Sequence, residues 1–158
     1  MVILRVLQEH QRVQRRRIRR RAGWVKRWFE RRLQLGQYIR LLEELRLEDV
    51  TAFKNFTRVE PEMFAEIVER VSHRIWKQDT SYRKALEPGL KVAITLRHLA
   101  TGDSYHSLMY GFRVPSNTIC KFVPEVCEAI VAEYSSEVIT CPTTPAEWRP
   151  IAEQFARR

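Results

Sequence analysis

Apolar side chains recur along this chain at spacings of three and four residues, without the sustained period of two that a half-buried strand requires. From residue 24 onward Trp24 and Trp28 share one helical face, Leu33 and Leu35 follow, and Lys26, Arg27, Arg31 and Arg32 lie between them. That pattern predicts a helix docked on a core. Tyr38, Ile39, Leu41, Leu42, Leu45 and Leu47 continue the period, and Glu48-Asp49 opens a short segment ending in Phe53 and Phe56. Pro61 fits a first helical turn ahead of Met63, Phe64, Ile67, Val68, Val71 and Ile75. Residues 79–86 are polar and read as a loop. Pro88 opens the next helix, with Leu90, Val92, Ala93, Ile94, Leu96, Leu99 and Ala100 as its apolar band and Thr101-Gly102 at its end. The expected fold is all-α: a compact bundle of short helices over residues 24–158, preceded by an arm, residues 1–23.

Residues 89–133 narrow the reading. After Gly102, Asp103 or Ser104 can cap a short helix running from about Tyr105 to Gly111, with Leu108, Met109 and Phe112 apolar. Arg113-Val114-Pro115-Ser116 then turns the chain into a helix that carries Ile119, Phe122 and Val123 inward. Three helices with a turn of about four residues before the last form a helix-turn-helix pattern. Ser116, Asn117, Thr118 and Lys121 are left outward, where small polar side chains reach base edges and a lysine meets phosphate. Two positions strain the pattern. Arg113, itself counted among the expected DNA contacts, stands where a left-handed turn favours glycine, at a cost of about 1 kcal/mol. Pro124 is expected to kink or split the helix after Val123. The same spacing also fits an ordinary helical hairpin whose polar residues are simply solvated.

Charge separates the chain into two parts. Of 158 residues, the first 40 hold thirteen basic side chains and two acids, a net of +11, whereas the rest hold fifteen basic and seventeen acidic. Arg15, Arg16, Arg17, Arg19, Arg20 and Arg21 fall within seven positions, repel one another and leave no apolar face to bury. The arm is therefore expected to be disordered or a frayed helix that orders on a polyanion, with phosphate contacts dominating affinity. Duplex DNA is the partner this favours. An anionic membrane surface is a weaker fit, because no broad apolar face accompanies the arginines between Arg12 and Arg40.

Little else in the sequence carries chemistry. Val2-Ile3-Leu4 is cut short by Arg5, so no secretory h-region forms, and no apolar run approaches the ~20 residues of a membrane span. Cys120, Cys127 and Cys141 read as free thiols in a reducing compartment. They offer no zinc-like spacing with His98 or His106. The denser acids, Glu43-Glu44, Glu48-Asp49 and Glu60 with Glu62, sit in helical surface patterns. There is no Gly-rich phosphate loop and no Ser/His/Asp set. The expectation is a non-enzyme with no cofactor and no small-molecule ligand.

Several strings resemble a known family. They are Leu45-Arg46-Leu47-Glu48-Asp49, Phe53-Lys54-Asn55-Phe56-Thr57-Arg58-Val59-Glu60-Pro61-Glu62-Met63-Phe64 and Lys77-Gln78-Asp79-Thr80. Further on come Leu96-Arg97-His98-Leu99-Ala100-Thr101-Gly102-Asp103-Ser104-Tyr105, Pro124-Glu125-Val126-Cys127-Glu128-Ala129-Ile130 and Pro142-Thr143-Thr144-Pro145-Ala146-Glu147-Trp148. Together they resemble the N-terminal helical region of the PIF/Harbinger transposase-derived proteins, the Harbinger nucleases. The resemblance implies a nuclear protein acting on DNA, with a helix-turn-helix ahead of a metal-dependent nuclease domain of the RNase H-like type. It also implies a Myb/SANT-like protein partner, so a protein-interaction module is the alternative function. In the family, three acids hold divalent ions in the nuclease domain, the first of them beyond a segment similar to residues 151–158. No catalytic residue carries over to this chain, and a metal is expected only in that further domain.

Overall fold

In the computed structural model, which describes residues 25–81, 84–139 and 141–157, every regular element is a helix. Two short helices come first, α1 (Arg27–Glu30) and α2 (Arg32–Leu35). A π-helical turn (Tyr38–Leu42) then runs into α3 (Glu43–Glu48). Asp49 caps α4 (Val50–Thr57), its carboxylate accepting the Ala52 N–H at 2.9 Å. The proline starts hold as the spacing predicts, giving α5 (Pro61–Ile75) and α6 (Pro88–Thr101), and Gly102 closes α6 at φ 69°. Ser104 accepts the Ser107 N–H at the head of α7 (Tyr105–Phe112). The long α8 (Ser116–Val138) and a final α9 (Pro145–Ala156) complete the chain.

The core is organised around α6, which packs against α4, α5, α7 and α8. Leu90 through Thr95 are buried in succession, as a helix enclosed on most sides requires. That burial takes in two polar side chains, and both are satisfied. Lys91 Nζ donates to the Ile75 carbonyl at 2.6 Å and Thr95 Oγ1 to the Lys91 carbonyl at 2.9 Å. Val71, Val92, Ile94, Val114, Ile119 and Val126 are fully enclosed, each worth about 1.5–3 kcal/mol of burial.

α5 and α8 run antiparallel along one side. Arg70 pairs with Glu137 at 2.9 Å, Arg74 with Glu133 at 2.5 Å and Lys77 with Glu125 at 2.7 Å. One set of numbers rises as the other falls. The Arg74 bond holds the Glu133 carboxyl below its usual range.

Four expectations from periodicity are corrected. α8 is one continuous helix through Pro124, whose exposed ring sits on the solvent side and interrupts the ladder without ending it. The helix expected from residue 24 onward is broken at Arg31 into α1 and α2. Within it Phe29 is buried, while Leu33 and Leu35 are exposed, because each helix is too short to present a full apolar stripe. Leu47 and Leu99 likewise face solvent although they fit the apolar period. Trp24 lies outside the described residues.

Candidate nucleic-acid interface

Residues 105–121 lie at the centre of the segment, 89–133, that the spacing singled out, and their backbone explains itself locally. α7 stops because Arg113 adopts φ 54°, ψ 43°, a left-handed conformation that reverses the chain direction. Val114 follows with no exposure and anchors the turn in the core. Pro115 has no N–H to leave unsatisfied, and its carbonyl accepts the N–H groups of Thr118 at 2.8 Å and Ile119 at 3.0 Å. α8 thus starts without a side-chain cap.

The first two turns of α8 divide cleanly. Ile119, Phe122 and Val123 are buried. Asn117, Cys120 and Lys121 are exposed, and Ser116 and Thr118 are half-buried. The inward set is the one that sequence spacing predicts; of the four residues expected outward only Asn117 and Lys121 are fully so, and Cys120 is an addition that spacing at i and i+3 from Asn117 could have supplied. The segment carries no acid between Ser116 and Lys121, so nothing within it opposes an anion.

Arg113 occupies a different place from the outward residues. Its guanidinium donates to the Trp28 carbonyl at 2.9 Å and the Leu35 carbonyl at 3.3 Å, and lies 5.9 Å over the Trp28 ring. It thereby joins the turn before α8 to the α1–α2 strap, across 78 and 85 residues of sequence. The strap also meets α7 directly. Trp28 stacks on Tyr110 with centroids 5.9 Å apart, and the Gln37 N–H donates to the Gly111 carbonyl at 3.1 Å. Glycine permits this approach: a Cβ at Gly111 would come within 2.5 Å of Gln37 Oε1, and one at Gly36 within 3.3 Å of the Phe112 carbonyl.

Part of the unpaired positive charge lies on that strap. Arg70, Arg74, Lys77, Arg97 and Lys54 all face carboxylates elsewhere. Lys26, Arg27 and Arg31 are exposed and, among the described residues, have no ion-pair partner. Their charge was visible in the sequence, but their seat beside the turn was not. The arginines expected to meet phosphate, Arg15, Arg16, Arg17, Arg19, Arg20 and Arg21, lie outside the described residues, as does the rest of the expected arm.

Among the described residues no group of three or more His, Cys, Asp or Glu is placed to hold a metal ion. No helix among them is long and apolar enough to cross a membrane. Cys120 and Cys141 are exposed free thiols, and partial burial pushes the Cys127 thiol upward. No protein-family model, curated protein or solved structure matches the chain.

Proposed function

We propose that the chain is a DNA-binding module in which α6, α7 and α8 act as a helix-turn-helix. In this reading Ser116, Asn117 and Thr118 reach base edges, Lys121 meets phosphate, and the arginines of residues 15–21 supply sequence-independent affinity. One observation carries it. The opening turns of α8 expose Asn117 and Lys121 free of acid, while Ile119 and Phe122 hold the helix rigidly from behind. The resemblance to PIF/Harbinger transposase-derived proteins adds a nuclear location and a module that recognises DNA without cutting it.

A second reading, binding of a Myb/SANT-like protein, draws on α9. Trp148 and Phe155 sit seven residues apart, two helical turns on one face, and both are exposed.

Selection of a preferred duplex, followed by Asn117→Ala with Thr118→Ala, tests the first reading. Discrimination is expected to fall by about 1–3 kcal/mol per lost base contact while thermal melting stays normal. Unchanged sequence preference in a normally folded variant puts the partner-binding reading first.

A further inference from the structure

The arginine of the turn and the cations of the strap belong to one device. Arg113 holds a backbone conformation that disfavours a side chain, and glycine there would relieve the strain. What the arginine supplies is its fork. Two donors reach two carbonyls at opposite ends of the strap, Trp28 at the start of α1 and Leu35 at the end of α2, with the Trp28 ring beneath. A guanidinium so occupied is poorly placed to contact a ligand.

The strap it holds carries a cluster of cations with no ion-pair partner among the described residues. Lys26, Arg27 and Arg31 are exposed within six residues, and the single acid among them, Glu30, makes no ion pair with them. Two residues separate Arg113 from Ser116, the first residue of α8, so the strap is tied to the turn that leads into that helix.

We infer that Arg113 is a positioning residue, not a nucleic-acid contact, and that it presents Lys26, Arg27 and Arg31 to the phosphate backbone of the duplex lying along α8. This rests on the DNA-binding reading above and adds a second phosphate-contacting surface to it, independent of the arm.

The test uses the full chain and a duplex of mixed sequence. Five forms are compared: wild type, Arg113→Gly, Arg113→Lys, the triple variant Lys26→Ala/Arg27→Ala/Arg31→Ala, and that triple combined with Arg113→Gly. The triple variant is expected to lower the slope of log K against log salt by about 2.7, three contacts at ~0.9 each. Arg113→Gly is expected to lower it by clearly more than the ~0.9 of a single contact, and to add nothing in the combined form. It should also raise hydrogen exchange of the amides in residues 27–36 about tenfold while those of α5 stay protected. Arg113→Lys, which keeps the charge but lacks the fork, should behave like Arg113→Gly.

A drop of about 0.9 from Arg113→Gly in both backgrounds, rescued by lysine, would show that Arg113 touches phosphate itself and overturn the inference. So would unchanged strap exchange, or a triple variant with the wild-type slope while wild type still binds. Wild-type protein that binds no duplex sinks the DNA reading together with the phosphate surface, and hydrogen exchange then judges the clamp separately.

Discussion

From Glu125 to Glu137, α8 turns three acids, Glu125, Glu133 and Glu137, toward α5 and the residues just after it, and Lys77, Arg74 and Arg70 meet them in an antiparallel ladder. From Ser116 to Lys121 the same helix has no acid, and Asn117, Cys120 and Lys121 face solvent. Both stretches bury a full set of apolar side chains, Ile119 and Phe122 in one, Val126 and Ala129 in the other. The difference therefore lies in what the polar face meets. Along the ladder the polar side chains are already answered by the protein, and their work is structural. At the start of α8, Asn117 and Lys121 face solvent with no ion pair or side-chain hydrogen bond among the described residues, and that is where a ligand has most to gain.

The strongest way to break this comparison is to remove what the two stretches share. Ile119→Ala empties a fully enclosed site behind Asn117 and is expected to destabilise the protein by about 2–5 kcal/mol in urea denaturation. Both ends of α8 should then fail together, so loss of binding without loss of stability would contradict the rigid backing described above.

Pro124 marks the junction between the stretches and is exposed. Pro124→Ala restores a backbone donor within a continuous helix, so stability should rise, by up to ~3 kcal/mol. The denaturation midpoint at constant slope measures it. A fall instead would mean that the proline sets the register between the ladder and the opening turns.

The smallest effect belongs to the ladder. Glu133→Gln removes a partly exposed ion pair and is expected to lower stability only slightly, less at high salt. The Glu133 carboxyl titrates below its usual value near 4.5 in the folded protein. Its contribution is therefore complete above that value and disappears as pH falls through the lower, folded one. Acid melting curves of wild type and Glu133→Gln should converge at the acid end and separate toward neutrality.

Local rules made much of this fold readable. Pro61 and Pro88 set helix starts by a fixed φ and a missing N–H, Gly102 sets an end by its freedom to take positive φ, and all three fall where the spacing puts them. The inward set Val114, Ile119, Phe122 and Val123 and the left-handed strain at Arg113 were legible for the same reason, since each depends on near neighbours. Leu33, Leu35, Leu47 and Leu99 were not, because a periodic leucine faces the core only if something packs over it. The occupation of Arg113 was invisible too. It depends on carbonyls 78 and 85 residues away, and no local pattern announces such a meeting. Continuity through Pro124 is the same lesson, with packing along the rest of α8 outweighing one absent hydrogen bond.

The buried Lys91 has a consequence for how this chain tolerates change. Its amine reaches the Ile75 carbonyl at the last turn of α5, where the helix dipole favours a cation. Burial nonetheless pulls its pKa below the usual lysine value. A four-carbon stem of fixed length thus sets the spacing between the end of α5 and the first turn of α6. The connection that joins them is relieved of that duty, and lengthening it costs little closure entropy. Insertions there can accumulate while the two helices keep their places.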